Sequence, residues 1–171
     1  MAANKISFKK LGFHISSSEL YGLCNLLLPL AKDEFFLFVD NGNTLEDKVK
    51  SALLSLDEKY LISNKFGPLS VAGRKKVQNE GIRISCLFVT TTQLITKYIR
   101  DYIVAARMFL NKMAEDSDIL VLSYPADYKK TENMASKFGF KPIAETNHRG
   151  HKIVTTMLRC KEWHGQMMKG I

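Results

Sequence analysis

Ile82-Arg-Ile-Ser-Cys-Leu-Phe-Val89, a break at Thr90-Thr-Thr92, and the stretch from Gln93 to Ala114 carry the change of period that decides the fold. In the first stretch Ile82, Ile84, Cys86 and Phe88 alternate onto one face, and Leu87 and Val89 make the other face apolar, as in a strand covered on both sides. After the break, Ile95, Tyr98, Ile99, Tyr102, Ala106, Phe109, Leu110 and Met113 recur at helical spacing and predict one long helix over about 93–114. Upstream, Leu69 to Val77 reads as a strand and Gln78-Asn-Glu-Gly81 as a turn, so a hairpin leads into the central strand. Downstream, Asp116-Ser-Asp118 ends the helix and Ile119 to Tyr124 has the length and composition of a strand. Strand, long helix, strand at this spacing predicts a parallel pair joined by a right-handed crossover.

Further along, a helix is expected from Tyr128 to Phe138, with Gly139 as its C-cap glycine. Phe140 to Glu145 and Lys152 to Arg159 then form a hairpin about Asn147-His-Arg-Gly150. Before residue 65, Ser16 to Ser18 cap a helix carrying Leu20, Leu23, Leu27 and Leu30 on one face. Thr44-Leu-Glu-Asp47 opens a second helix with the stripe Leu45, Val49, Leu53, Leu56 and Tyr60. Phe35 to Val39 fits either a strand or a helical turn, and a first strand is expected near Ile6-Phe8. The order predicts an α/β (α+β) chain: a central mixed, mostly antiparallel sheet flanked by helices, in a single domain over 1–171.

The 171 residues hold 46% apolar side chains and only 14 Gly and Pro together, which excludes disordered and collagen-like classes. No apolar run approaches the roughly 18 residues of a membrane span, and the N-terminus has no apolar block of the signal-peptide kind. Cys24, Cys86 and Cys160 are odd in number and widely spaced, which points to a reducing, cytoplasmic setting. His148 and His151 are too few ligands for a metal, so no metal is expected.

Three local patterns, in this order of elements, resemble the GNAT superfamily of acyl-CoA N-acyltransferases. They are the strand pair Val71–Val77 and Ile82–Val89, the break after Val89 before a long helix, and the ending Ser136-Lys-Phe-Gly139-Phe140 before a hairpin carrying Thr156-Met157-Leu158. The resemblance covers about 65–160, a cofactor-type core. It leaves an N-terminal helical part at about 1–64 and a loosely held tail at about 161–171. It implies acetyl-CoA or another acyl-CoA as cofactor and a primary amine, of a protein or small molecule, as acceptor, attacking the thioester directly. The cofactor would lie beside Phe88 and Val89, with its pyrophosphate on the loop Gln93-Leu-Ile-Thr96-Lys97-Tyr98. There Thr96 and Tyr98 fill the family's glycine positions, and Lys97 adds charge. The family's tyrosine acid falls on Ala135, so Tyr124 and Tyr128, with Ser123, become the candidates. Glu80 and Glu145 read as solvated charges.

The net charge of +8 has addresses: −1 over 1–64, +6 over 65–100, −3 over 101–128 and +6 over 129–171. Arg74, Lys75, Lys76 and Arg83 lie across one predicted hairpin, where they either grip phosphates or guard an exposed sheet edge. The alternative function is therefore a catalytically silent protein of this kind that binds a protein or nucleic-acid partner through its basic face, with homodimer formation open.

Overall fold

The computed structural model describes residues 4–169. Seven strands, β1 (Ser7–Lys10), β2 (Glu58–Asn64), β3 (Gly67–Asn79), β4 (Ile82–Thr91), β5 (Ile119–Pro125), β6 (Lys141–His148) and β7 (His151–Arg159), form one sheet in the order β1-β2-β3-β4-β5-β7-β6. The β4–β5 pair is parallel, from Ile84↔Ile119 to Cys86↔Val121. The β1–β2, β2–β3, β5–β7 and β6–β7 pairs are antiparallel. Six helices accompany the sheet: α1 (Ser17–Leu26), α2 (Pro29–Phe38), α3 (Leu45–Leu54), α4 (Ile99–Ala114), α5 (Lys129–Lys137) and α6 (Cys160–Met168). The mixed, mostly antiparallel sheet with helices is the architecture expected. By contacts the described chain divides into two compact units, residues 4–75 with 88–110 and residues 76–87 with 111–169.

In the first unit, α1 and α3 start where capping chemistry puts them. Ser16 Oγ accepts from Glu19 N at 3.2 Å and Thr44 Oγ1 from Asp47 N at 3.1 Å, and each acid returns a bond to its cap's backbone. The predicted first helix is broken in two. Leu27 and Leu28 are extended and Pro29 opens α2, so the Phe35–Val39 run is helical to Phe38 and Leu30 faces solvent. Leu20, Cys24, Leu27, Ala31, Phe35, Val49, Leu53 and Val71 form the core here. The second predicted stripe also runs too far. The chain leaves α3 at Ser55, and Tyr60 belongs to β2, a strand the helical spacing concealed.

Arg74, expected on an open basic face, is buried. Its Nε and a terminal nitrogen donate to Glu58 Oε2 at 2.9 and 2.6 Å, and Tyr60 donates to Glu58 Oε1. Burial pushes the Glu58 carboxyl up, but the Tyr60 and Arg74 hydrogen bonds and the Arg74 charge outweigh it and hold the group below its usual range.

In the second unit, Gly139 at φ 94° follows α5, with Gly139 N on Ser136 O and Phe140 N on Ala135 O at 3.0 Å each, the two bonds of a Schellman cap. Arg149 and Gly150, both at positive φ, make the two-residue turn between β6 and β7, where His148 pairs with His151. The tail expected to be loosely held is instead α6 as far as Met168, with Gly170 and Ile171 outside the described residues. It is anchored by Trp163, which is buried, donates to Asn111 Oδ1 at 2.8 Å and packs edge-on against Phe138.

Replacing Arg74 with Met strands the Glu58 carboxylate beneath the sheet surface. The variant should lose about 3 kcal/mol in urea unfolding at pH 7. The loss should shrink as pH falls through the folded-state pKa of Glu58, where the carboxyl protonates in both states.

Candidate functional site

The chain from the end of β4 to the start of α4 is the expected cofactor loop, and the structure shows how its donors are spent. Thr92 is fully buried. Its hydroxyl donates to Pro68 O at 2.6 Å and accepts from Leu94 N at 3.3 Å. Gln93–Thr96 is a 3-10 turn in which Ile95 N bonds Thr92 O, and Lys97 N and Tyr98 N both bond Leu94 O. The single helix expected over 93–114 is thus a tight turn followed by α4. The amides of 94, 95, 97 and 98 are therefore engaged within the turn and are not open to a ligand.

The open donors lie one step further on. Tyr98 O accepts the first helical bond, from Tyr102 N. The amides of Ile99, Arg100 and Asp101 have no acceptor among the described residues. They are the orphan N–H groups of a 16-residue helix, at its positive end. Asp101 does not quench them. Its buried carboxylate turns away, accepting from Asn4 N at 2.9 Å and from Asn4 Nδ2 and Asn64 Nδ2 at 2.8 Å each. These bonds hold it below the usual carboxylate range.

Beside this helix end the Tyr98 ring stacks on Phe66, centroids 4.7 Å apart and planes 10° off parallel. Lys97 Nζ lies 5.6 Å from the Tyr98 centroid and Lys65 Nζ 4.9 Å from that of Phe66. Two ammonium groups thus flank the stack, and Lys65 is near enough to Asp101 to lower its carboxyl further. Lys65 and Phe66 were not among the expected residues; their role depends on a contact across 32 positions that no local pattern signals. Of the other expected residues here, Gln93, Thr96 and Lys97 are exposed and Phe88 and Val89 half-buried, Phe88 packing on Phe35 at 5.8 Å. Next to Val89, the Thr90 hydroxyl is sealed from solvent with no hydrogen-bond partner among the described residues. Such an atom costs about 1–3 kcal/mol unless something binds it.

Glu34, on α2, also escaped the sequence reading. Burial pushes its carboxyl up to about 7, and it makes no hydrogen bond among the described residues. It stands close enough to Tyr102 that its charge, added to burial, raises that phenol to about 12.

In the second unit the Tyr124 ring is buried and its phenol is raised, by burial first and the Glu132 charge second. Tyr128 is half-buried ahead of α5, Ser123 shares a hydrogen bond with Thr155, and Ala135 is buried. Glu145 pairs with Lys152 and Glu80 is exposed in the β3–β4 turn. Lys76 is paired with Asp116 at 3.1 Å and Arg83 with Asp118 at 2.9 Å, so with Arg74 buried the expected basic patch is largely neutralised. Burial raises Cys24 and Cys160 to about 11, which makes both thiols poor nucleophiles.

Glu34 gives a measurable signature. Its raised value means the native state binds a proton that the unfolded chain releases, so its contribution to stability falls between pH 4.5 and 7. Glu34→Gln should gain about 2–3 kcal/mol at pH 8 and nothing at pH 4, read by chemical denaturation at both values.

No family model matches the sequence, and no curated protein does. Solved structures do match its fold. An aminoglycoside N(6')-acetyltransferase from Legionella pneumophila superposes with a TM-score of 0.71 at 13% identity, covering 97% of this chain and 98% of that one. A spermidine N-acetyltransferase mutant from Vibrio cholerae gives 0.68 at 7% identity over 95% and 98% of the two chains. The ribosomal-protein-S18-alanine N-acetyltransferase of Escherichia coli gives 0.63 at 10% identity over 91% and 94%. The sheet order, the helix after β4 and these superpositions agree: the chain has the GNAT fold, that of the acyl-CoA N-acyltransferases.

Proposed function

We propose that the protein is an acyl-CoA-dependent N-acyltransferase that moves an acetyl group to a primary amine. The observation that carries this reading is the N-terminus of α4, where three acceptor-free amides, Ile99 to Asp101, stand beside Lys65 and Lys97. Amide donors at a positive helix end with adjacent ammonium groups suit a pyrophosphate. The site is thereby moved a few residues from Gln93–Tyr98 and requires no glycine. Acyl-CoA, when bound, supplies an acyl group activated as a thioester.

The remaining demands fall on side chains. A primary amine is an ammonium ion at neutral pH and must lose a proton before it can attack. Glu34, poised near 7, is the base for that proton, held at its carboxylate oxygen. For the hydroxyl acid that protonates a leaving thiolate, the family resemblance leaves Tyr124 and Tyr128 of the second unit as the candidates. The spermidine, aminoglycoside and ribosomal-protein enzymes of the same fold support an amine acceptor as a class.

Acetyl-CoA at 100 times its Kd should stabilise the protein by about 2.7 kcal/mol. In Lys65→Met/Lys97→Met, binding should weaken about tenfold or more, with the melting temperature of the free protein little changed. With a polyamine acceptor, kcat/KM should rise through pH 7, and Glu34→Gln should lower it about 100-fold or more and flatten that limb. No shift with any acyl-CoA would overturn the cofactor assignment. An unaltered pH limb in Glu34→Gln would overturn the base alone.

A further inference from the structure

A cavity of about 280 Å³ opens in the first unit between the loop before α1, the end of α3 and β2. Its apolar wall is Leu53, fully buried, and Leu54 and Phe13, both exposed at the rim. His14, Lys50 and Lys59 supply its polar atoms, and no acidic side chain lines it. The notable group is Lys59. It lies in β2 opposite Gly73 of β3, its carbonyl accepts from Leu11 N just past β1, and only 5% of it is exposed.

Lysines are almost never buried unless paired, because an ammonium removed from water without a counter-charge loses its hydration uncompensated. Lys59 has no ion pair and no side-chain hydrogen bond among the described residues. Nor is its ammonium sealed in the core. The sealed, partnerless side-chain atom among the described residues is the Thr90 hydroxyl, so the Lys59 nitrogen has an outlet, and the space it lines is this cavity. The other buried lysine, Lys48, shows the contrast: it donates to Val39 O and lies 5.5 Å from the Phe36 ring centroid.

We propose that this cavity is a binding site for a small organic anion with an apolar body, a medium-chain aliphatic carboxylate. The carboxylate pairs with Lys59, assisted by Lys50, and the chain lies along Leu53 and Leu54 under Phe13. The volume equals about nine water-sized groups, close to the ten non-hydrogen atoms of an eight-carbon carboxylate. A longer chain overfills it, and a bare inorganic anion leaves the apolar wall uncovered. The site is independent of the acyl-transfer reading, since none of its residues belongs to the loop, the α4 terminus or the proposed acid and base.

Calorimetric titration of the full chain with sodium octanoate, octan-1-ol and octylammonium tests it. Octanoate should bind with a Kd under about 1 mM and at least about tenfold tighter than octan-1-ol, and octylammonium should not bind. Lys59→Met keeps the stem and removes the charge; it should bind octanoate at least about tenfold more weakly while its far-ultraviolet circular dichroism is unchanged. Lys59→Arg should retain most of the affinity, and Lys50→Met should lose less than Lys59→Met. Should Lys59→Met fail to fold, the alcohol-against-carboxylate comparison on the native chain decides. Three results would overturn the proposal: no heat with octanoate up to about 10 mM, equal affinity for acid and alcohol, or displacement of octanoate by acetyl-CoA, which would assign the binding to the transfer site.

Discussion

A single carboxylate, that of Asp101, ties together three parts of the first unit. It sits in the first turn of α4 and takes one bond from the side chain of Asn64 at the end of β2 and two from Asn4 ahead of β1. The contacts span 37 and 97 residues of chain, so they form only when the sheet edge and the helix are both in place. An acidic residue in a first helical turn ordinarily satisfies the helix's own amides. Here it is drawn aside by the two asparagines, and the amides stay open. One arrangement therefore fixes where the helix begins and keeps its positive end available to an anion from outside.

That arrangement would let a loop without glycine serve the proposed anion site. Glycine at such positions permits backbone approach to a phosphate. In this chain the preceding segment closes on itself as a 3-10 turn, using Thr92 as both cap and buried anchor. Tyr98, which would obstruct an approach at its own amide, lies flat on Phe66. The bulky residue is thus part of the wall, and the lysine that precedes each ring, Lys65 before Phe66 and Lys97 before Tyr98, stands at its side.

Much of the fold was legible because local chemistry wrote it. Ser16 and Thr44 cap helices, Gly139 takes the left-handed position after α5, and Arg149-Gly150 makes the turn of the predicted hairpin. What escaped was decided by distant contacts. Tyr60 falls on the helical stripe of residues 45–56, yet it joins β2 because β1 and β3 pair on either side of it. Residues 160–168 look polar and terminal, but one buried indole holds them as a helix. Arg74 reads as surface charge until Glu58, sixteen residues earlier, is found bonded to it. At the site, the β4-to-α4 segment was visible as a break between two periods. The displacement of its free amides from 94–98 to 99–101 was not, since hydrogen-bond closure within a 3-10 turn leaves no mark on composition. Glu34 was invisible for the same reason, being unusual only in what surrounds it.

The self-closing turn bears on how such a chain can drift. Where an anion is held by a glycine loop, each glycine is constrained individually, because any side chain would stand in the ligand's path. Where the donors are the first amides of a helix and the preceding turn satisfies itself, what must persist is the absence of a competing acceptor near residues 99–101. That constraint names no residue type. Positions 93–96 are then free to exchange side chains so long as the turn closes, and the sequence fingerprint can dissolve while the proposed anion-binding end of the helix remains.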